Sequence, residues 1–362
     1  MRACPGGSTI NSGIFHDSAR STATTLLRTI NMSQTTQTQS LTLVQAVRDG
    51  LYGELNRDED VIVMGEDVGK NGGVFRATQG LLEEFGGDRV IDTPLAESGI
   101  VGTAIGMAAY GLRPVAEIQF LGFMYPAFDQ IVSHAARLRN RSREAYTAPM
   151  VVRAPYGGGI KAPEHHSEST EAFFAHQPGL KVAIPSTPRD AKGLLAAAIR
   201  DPDPVIFLEP KLIYRAFREE VPEESYTVPL GEAAVRREGS DVSVFTWGAM
   251  ARPTAEAAEE LGEEGIDVEV VDLRTLSPLD EETIIESFKK TGRAVVVHEA
   301  PKSGGLAGEI TATIQEEVLL YQEAPVARVT GFDIPFPLYA LEEYYLPDTA
   351  RIKDGIRETV EF

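Results

Sequence analysis

From residue 41 onward, short apolar runs alternate with longer amphipathic stretches, and that alternation confines the chain to a parallel sheet covered by helices. A strand buried on both faces shows no period of two and reads as a continuous apolar run. VIVMG (61–65), VAEIQF (115–120), MVVRAP (150–155), KVAIPS (181–186) and VIFLEP (205–210) fit that description. Leu43, Val47, Leu51 and Leu55 recur at helical spacing and predict a helix over 42–57. Further helices are expected at 97–111, 125–140 and 188–200. Acids, prolines and glycines crowd 216–240, where the pattern lapses. A second alternation then places strands at 241–248, 268–274, 294–300 and 326–331, with helices over 252–264, 280–290 and 304–320 and a polar helical pattern at 350–362. The expected organisation is α/β in two domains, one over 41–220 and a smaller one over 241–362, joined by a linker at 221–240.

Residues 1–40 stand apart. They are rich in Ser and Thr and carry Arg2, Arg20 and Arg28 against a single acid, Asp17. The composition superficially resembles a mitochondrial transit peptide, which would place the protein in the matrix. Met32, directly ahead of the first periodic segment, is the more natural start, and the cytoplasm is the expected compartment. Either way a disordered extension through residue 40 is expected. The formal charge of −20 argues against nucleic acid or an anionic membrane as partner. No run of eighteen apolar residues occurs, so no membrane span is expected. An acidic, arginine-biased and lysine-poor composition suits a high-salt cytoplasm, and equally a solvated surface that aids solubility. Cys4 is the only cysteine, so no disulfide forms within the chain.

Two glycine-rich pieces, GKNGGVF (69–75) and GGGIKAP (157–163), each follow a strand, where ligands meet loops in open α/β sheets. Neither is a dinucleotide fingerprint or a phosphate loop, and each reads first as a plain connection. GGLAGEI (304–310) reads as tight strand–helix packing. In DTPLAESGIVGTAIGMAAYG (92–111), Glu97 opens a helix, as a first-turn charge or as a carboxylate favoured by the helix dipole. Gly99, Gly102 and Gly106 in the body of that helix sacrifice propensity, which suggests close approach of another backbone, in a helix–helix or subunit contact. His165, His166 and His176 lie in PEHHSESTEAFFAHQPG (163–179). They lack a third ligand at metal spacing, so a proton-donating histidine is the more plausible reading.

GEDVGKNGGVFRATQGL (65–81), DTPLAESG (92–99), GLRPVAEIQF (111–120) and HSESTEAFFAHQPGLKVAIPSTP (166–188) resemble the β chain of pyruvate and branched-chain 2-oxoacid dehydrogenases. The similarity continues through FLEPKLIYR (207–215), VVDLRTLSPLD (270–280), KTGRAVVVHEAP (290–301) and EAPVARVTG (323–331), covering nearly all of 41–362. It implies a thiamine-enzyme pyrimidine-binding domain followed by a transketolase C-terminal-like domain. It also implies thiamine diphosphate as cofactor, shared with an α subunit. On this resemblance Glu97 is the carboxylate on the pyrimidine N1′, Phe123 packs on the pyrimidine, and Leu95 and Glu66 lie near the cofactor. Glu66 would join a proton relay, and His166 would assist acyl transfer to the lipoyl arm. His165 receives no role. Some family members hold potassium, for which the matching positions are Met150, Ala198, Ile199, Asp201 and Asp203. The G-D-G motif that anchors the diphosphate through Mg2+ does not occur in the chain. In two-chain members it belongs to the α subunit, so the resemblance implies an α2β2 assembly, with a lipoyl acyltransferase core bound through the C-terminal domain. An acetoin-cleaving relative is an alternative. A noncatalytic scaffold or a self-sufficient transketolase-like enzyme is less consistent with the motifs.

Overall fold

The computed structural model describes residues 37–362. Most of the expected N-terminal extension therefore lies outside the described residues. Its last part does not fit the expected disorder. Thr38–Leu41 is a strand, β1, and α1 (Leu43–Arg57) follows at once. Leu43, Val47, Leu51 and Leu55 are all buried, as their spacing requires. The Gln45 side chain accepts from the Thr42 backbone N–H at 3.1 Å and so closes the helix start.

The first half continues through β2 (Val61–Gly65), α2 (Leu81–Phe85), β3 (Val90–Asp92), α3 (Glu97–Ala109) and β4 (Arg113–Glu117). The helix expected over 125–140 is broken. A 3₁₀ stretch at Leu121–Ala127 contains Pro126, a π turn covers Gln130–His134, and α-helical geometry returns only at α4 (Leu138–Arg141). Proline removes a donor and the π turn absorbs an extra residue, so one regular helix cannot form. Then come β5 (Val151–Tyr156), α5 (Glu171–Ala175), β6 (Lys181–Ala183), α6 (Pro188–Arg200) and β7 (Val205–Pro210).

These strands form one seven-stranded sheet in the order β12-β6-β7-β5-β4-β2-β3. All are parallel except β12 (Thr275–Ser277), which comes from the C-terminal half and pairs antiparallel with β6. From β2 the chain steps outward to β3 and then returns across it to β4. That reversal opens a crevice beyond the carboxyl ends of these strands.

Two short strands lie where the linker was expected. β8 (Glu219–Pro222) pairs with β1, and β9 (Ala234–Arg237) is the antiparallel edge of the second sheet. The segment is polar because it forms edges, whose outer faces meet solvent. The second half adds β10 (Val242–Thr246), α7 (Ala251–Glu263), β11 (Val268–Asp272), α8 (Glu281–Thr291), β13 (Ala294–Pro301), α9 (Ala307–Glu317), β14 (Ala327–Gly331), α10 (Glu342–Tyr345) and α11 (Thr349–Val360). Its sheet order is β14-β13-β10-β11-β9. Among the described residues, no helix is long and apolar enough to cross a membrane.

Candidate active site

Three connections leave the carboxyl edge at the first sheet's reversal, and they carry the residues singled out from sequence. Glu66 directly follows β2, Glu97 opens α3 after β3, and Phe123 lies in the 3₁₀ turn after β4. Asp92, the last residue of β3, ties two of these connections together. Its carboxylate accepts from the backbone N–H groups of Gly69 at 2.6 Å and Lys70 at 3.0 Å. The GKNGGVF loop is thus clamped against the exit of β3, which sets Glu66 beside Glu97. Burial, and then the negative charges of Asp67 and Glu97, push the Glu66 carboxyl above its ordinary range. The third connection is tied to α3 by Ser98, whose hydroxyl donates to the Pro126 carbonyl at 2.6 Å.

An aromatic wall closes one side. Phe120 and Phe123 pack edge to face with centroids 5.4 Å apart, and the His166 ring lies 4.5 Å from Phe120 and 5.0 Å from Phe123. Phe75, from the glycine loop, extends the wall at 5.5 Å from Phe120. His166 Nδ1 lies 2.9 Å from the Glu164 carbonyl oxygen. A carbonyl only accepts, so Nδ1 carries the proton and Nε2 is the nitrogen available for exchange. His165, with its backbone at φ 67° and its ring nitrogen 3.7 Å from a Glu168 oxygen, packs edge-on to Tyr125 at 6.3 Å. Leu95, on the connection from β3 to α3, is 70% exposed.

The arrangement therefore joins two carboxylates in one space with an apolar aromatic wall and one histidine. That set fits the aminopyrimidine half of thiamine diphosphate, a flat heteroaromatic ring with nitrogen acceptors and an amino donor. For the charged half, the described residues hold no cluster of three His, Cys, Asp or Glu side chains spaced to bind a metal.

Behind the crevice lies a charge cluster that single-strand patterns do not announce. Arg153 of β5 donates to Glu209 of β7 at 2.6 and 2.8 Å and also to Glu117 of β4, and the Tyr214 hydroxyl donates to Glu209 at 2.6 Å. All four residues are buried. Burial, only partly offset by Arg153, raises the Glu117 carboxyl. The one signal was a single charge inside each of three apolar runs.

The positions considered for potassium also gather. The Ile199 and Asp201 carbonyls accept from Arg113 at 3.0 and 3.4 Å, and the Asp201 carboxylate accepts from Lys181 at 2.6 Å. Asp203 accepts from Arg139 at 2.7 Å, the Ala198 carbonyl accepts from Asp201 N–H, and the Met150 carbonyl accepts from Val205 N–H.

Comparison with known proteins agrees with this architecture. The family model described as the transketolase pyrimidine-binding domain matches residues 39–216, and the transketolase C-terminal domain matches 231–352. The chain is 54% identical over 322 residues to the pyruvate dehydrogenase E1 component subunit beta of Bacillus subtilis, covering 89% of this chain and 99% of that one. It is 53% identical over 318 residues to the protein of the same name from Acholeplasma laidlawii, covering 88% and 97%. Among solved structures, the inactive β4 tetramer of a split-gene transketolase superposes with a TM-score of 0.72 at 22% identity, covering 89% of this chain and 98% of that one. At that identity the likeness concerns the fold.

Proposed function

The chain belongs to the family of 2-oxoacid dehydrogenase E1 β subunits, a thiamine-dependent oxidoreductase family, and from that premise we propose that it is the β half of a pyruvate-decarboxylating enzyme completed by an α subunit. The observation that carries this reading is the one-sided site: two carboxylates and an aromatic wall suited to the aminopyrimidine, without a diphosphate-anchoring motif in the sequence. Bound thiamine diphosphate would supply a nucleophilic carbon able to take up the 2-oxoacid and release carbon dioxide. Glu97 is assigned to hold a proton on the pyrimidine nitrogen, favouring the tautomer whose amino nitrogen acts as base. Glu66, beside it and with raised proton affinity, exchanges protons with Glu97 or a neighbouring site. Phe123, with Leu95, keeps the ring oriented and water out. His166 takes up a proton at Nε2 and passes it to the lipoyl sulfur. The acyl carbon is oxidised as the lipoyl disulfide is reduced, leaving an acyl thioester and one free thiol.

Pyruvate is favoured over a branched-chain acid because the relatives described above are pyruvate dehydrogenase subunits, and their bacterial sources favour a cytoplasmic setting. An α2β2 assembly carrying Mg2+ on the α subunit, docked to an acyltransferase core through the C-terminal half, completes the proposal. A potassium ion on the Ala198–Asp203 turn is a separable part, in competition with Arg113 and Lys181. A melting temperature equal in potassium and sodium buffers removes it. The main test is to mix the purified chain with an α subunit bearing the G-D-G motif and to assay pyruvate and branched-chain 2-oxoacids. Activity is expected only in the mixture and highest with pyruvate, and Glu97→Gln should lower it by on the order of a hundredfold or more. Turnover by the chain alone, or full activity of the mixture made with the Glu97→Gln variant, contradicts the assignment.

A further inference from the structure

The GGGIKAP segment, left open as a plain loop by its sequence, is held by carboxylates from the other half of the molecule. Glu299 of β13 accepts from the Gly158 N–H at 2.8 Å. Glu342, the first residue of α10, accepts from the N–H groups of Gly159 at 2.7 Å and Lys161 at 3.0 Å. Backbone N–H groups two residues apart and turned toward one carboxylate make an anion-binding nest, and here the anion is the Glu342 side chain of the same protein. Both carboxylates are buried, so neither contact is a mobile surface pair. From below, the buried Lys211 donates to the Gly157 carbonyl, and its ammonium lies 5.8 Å from the centre of the Phe120 ring.

This segment is the first part of a closed loop. The Gly157 N–H donates to the Glu168 carbonyl at 2.9 Å, so residues 157–168 leave and return at one point. His166 sits on the returning limb, against Phe120 and Phe123. The same limb presses on the 3₁₀ turn: a Cβ at Gly122 would overlap the His165 carbonyl and come within 2.8 Å of Glu168. The loop is thus gripped between the aromatic wall on one side and Glu299 and Glu342 on the other. Gly157, at φ +77°, and Gly158, where a Cβ would stand 2.9 Å from Phe336, leave no room for a substituted backbone there.

We propose that Glu342, seconded by Glu299, is a positioning residue that fixes the 157–168 loop so that His166 meets the lipoyl sulfur, which rests on the role of His166 proposed above. Both carboxylates act through backbone N–H groups on a loop whose far limb carries the histidine. The consequence is selective, because decarboxylation uses residues on the β2, β3 and β4 connections while acyl transfer uses the loop.

The test compares Glu342→Gln with Glu343→Gln in the reconstituted enzyme. Glu343 is exposed and, among the described residues, pairs only with the Lys161 side chain, at 2.7 Å, so its loss should change nothing. Three readouts are needed: amide hydrogen exchange over 158–166, pyruvate decarboxylation coupled to ferricyanide, and kcat/KM for a lipoylated acyltransferase domain. For Glu342→Gln, exchange at Gly159 and Lys161 should quicken by roughly tenfold. The kcat/KM for the lipoyl domain should fall by on the order of ten- to a hundredfold, while the ferricyanide rate stays within about twofold of the parent. Unchanged exchange overturns the proposal, as does an equal loss in both activities. His166→Ala separates the two readings. If it leaves lipoyl transfer intact, the role of His166 falls and the proposal falls with it, even where exchange has quickened. If it abolishes transfer while Glu342→Gln does not weaken it, the positioning claim alone fails.

Discussion

Arg153 shows how much of this molecule turns on single buried charges. Its guanidinium sits between two carboxylates that would otherwise face each other without water. Arg153→Met keeps the bulk but leaves two uncompensated acids, and should lower unfolding free energy by about 3–5 kcal/mol in urea titrations of the isolated chain. Adding Glu117→Gln and Glu209→Gln should return much of that loss, and failure to do so would mean that Arg153 acts through packing alone. A second buried acid gives a pH effect of defined sign. Burial raises the Glu171 carboxyl from 4.5 to about 7, opposed by hydrogen bonds that include the Trp247 indole N–H at 3.3 Å and reinforced by Glu299. Between those two values the folded chain holds a proton that the unfolded chain has released. Its stability contribution is therefore present at low pH and lost as pH rises through about 7, amounting to roughly 3 kcal/mol. Trp247 is the only tryptophan, so its fluorescence should titrate near pH 7 and Glu171→Gln should abolish the step. The neighbouring His298, stacked on Trp247 at 5.1 Å and held by burial at about 4, stays neutral across that range. Glu97, Phe123 and His166 were picked out because a family motif surrounds each, and their roles rest on the proposal above. Arg153, Glu299 and Glu342 were not, because a lone charge carries no periodicity and its partner lies far off along the chain.

At the level of elements, strands that are apolar throughout and helices with a clear apolar stripe were readable to within a few residues, since burial on both faces or on one imposes its own period. What escaped depends on pairing. β1 reads as a Ser- and Thr-rich tail, and only its ladder with the distant β8 makes it a strand. The break at 121–141 follows from Pro126, but the π turn after it has no sequence signature. The same dependence on distant contacts governs the glycine loop after β2. Its conformation rests on the two hydrogen bonds that Asp92 accepts, not on its glycines alone. Asp92→Ala should free that loop and let Glu66 drift from Glu97. Reconstituted decarboxylation is expected to fall by on the order of tenfold or more, while the chain loses only about 1–3 kcal/mol of stability. A loss of stability with unimpaired turnover would show that the clamp serves the fold and not the site.

On the scale of the whole molecule, α3 is the element least explained by the chain itself. Two of its glycines face open space among the described residues: a Cβ at Gly106 would meet no atom within 4 Å and one at Gly99 would meet only Ala96 of its own turn, whereas one at Gly102 would meet Gln130 Oε1 at 3.4 Å; Tyr110 beyond the helix end is 90% exposed. Glycine inside a helix costs about 1 kcal/mol relative to alanine, so an unpartnered helix gains nothing from it. The face becomes intelligible in an assembly, where a second backbone approaches it closely. Gly106→Leu separates these cases. In the isolated chain it should raise helix stability by up to about 1 kcal/mol, seen as an unchanged or higher melting temperature. In the mixture with an α subunit the added side chain should stand where a neighbouring helix must lie, shifting the light-scattering mass to smaller species and lowering pyruvate turnover in proportion. Opposite signs in the two measurements are the expected result, since a residue that strengthens the monomer while weakening the complex acts only across an interface. An assembly of undiminished mass and activity would mean that the glycine face of α3 stays open to solvent, and that the partner proposed for this chain binds elsewhere.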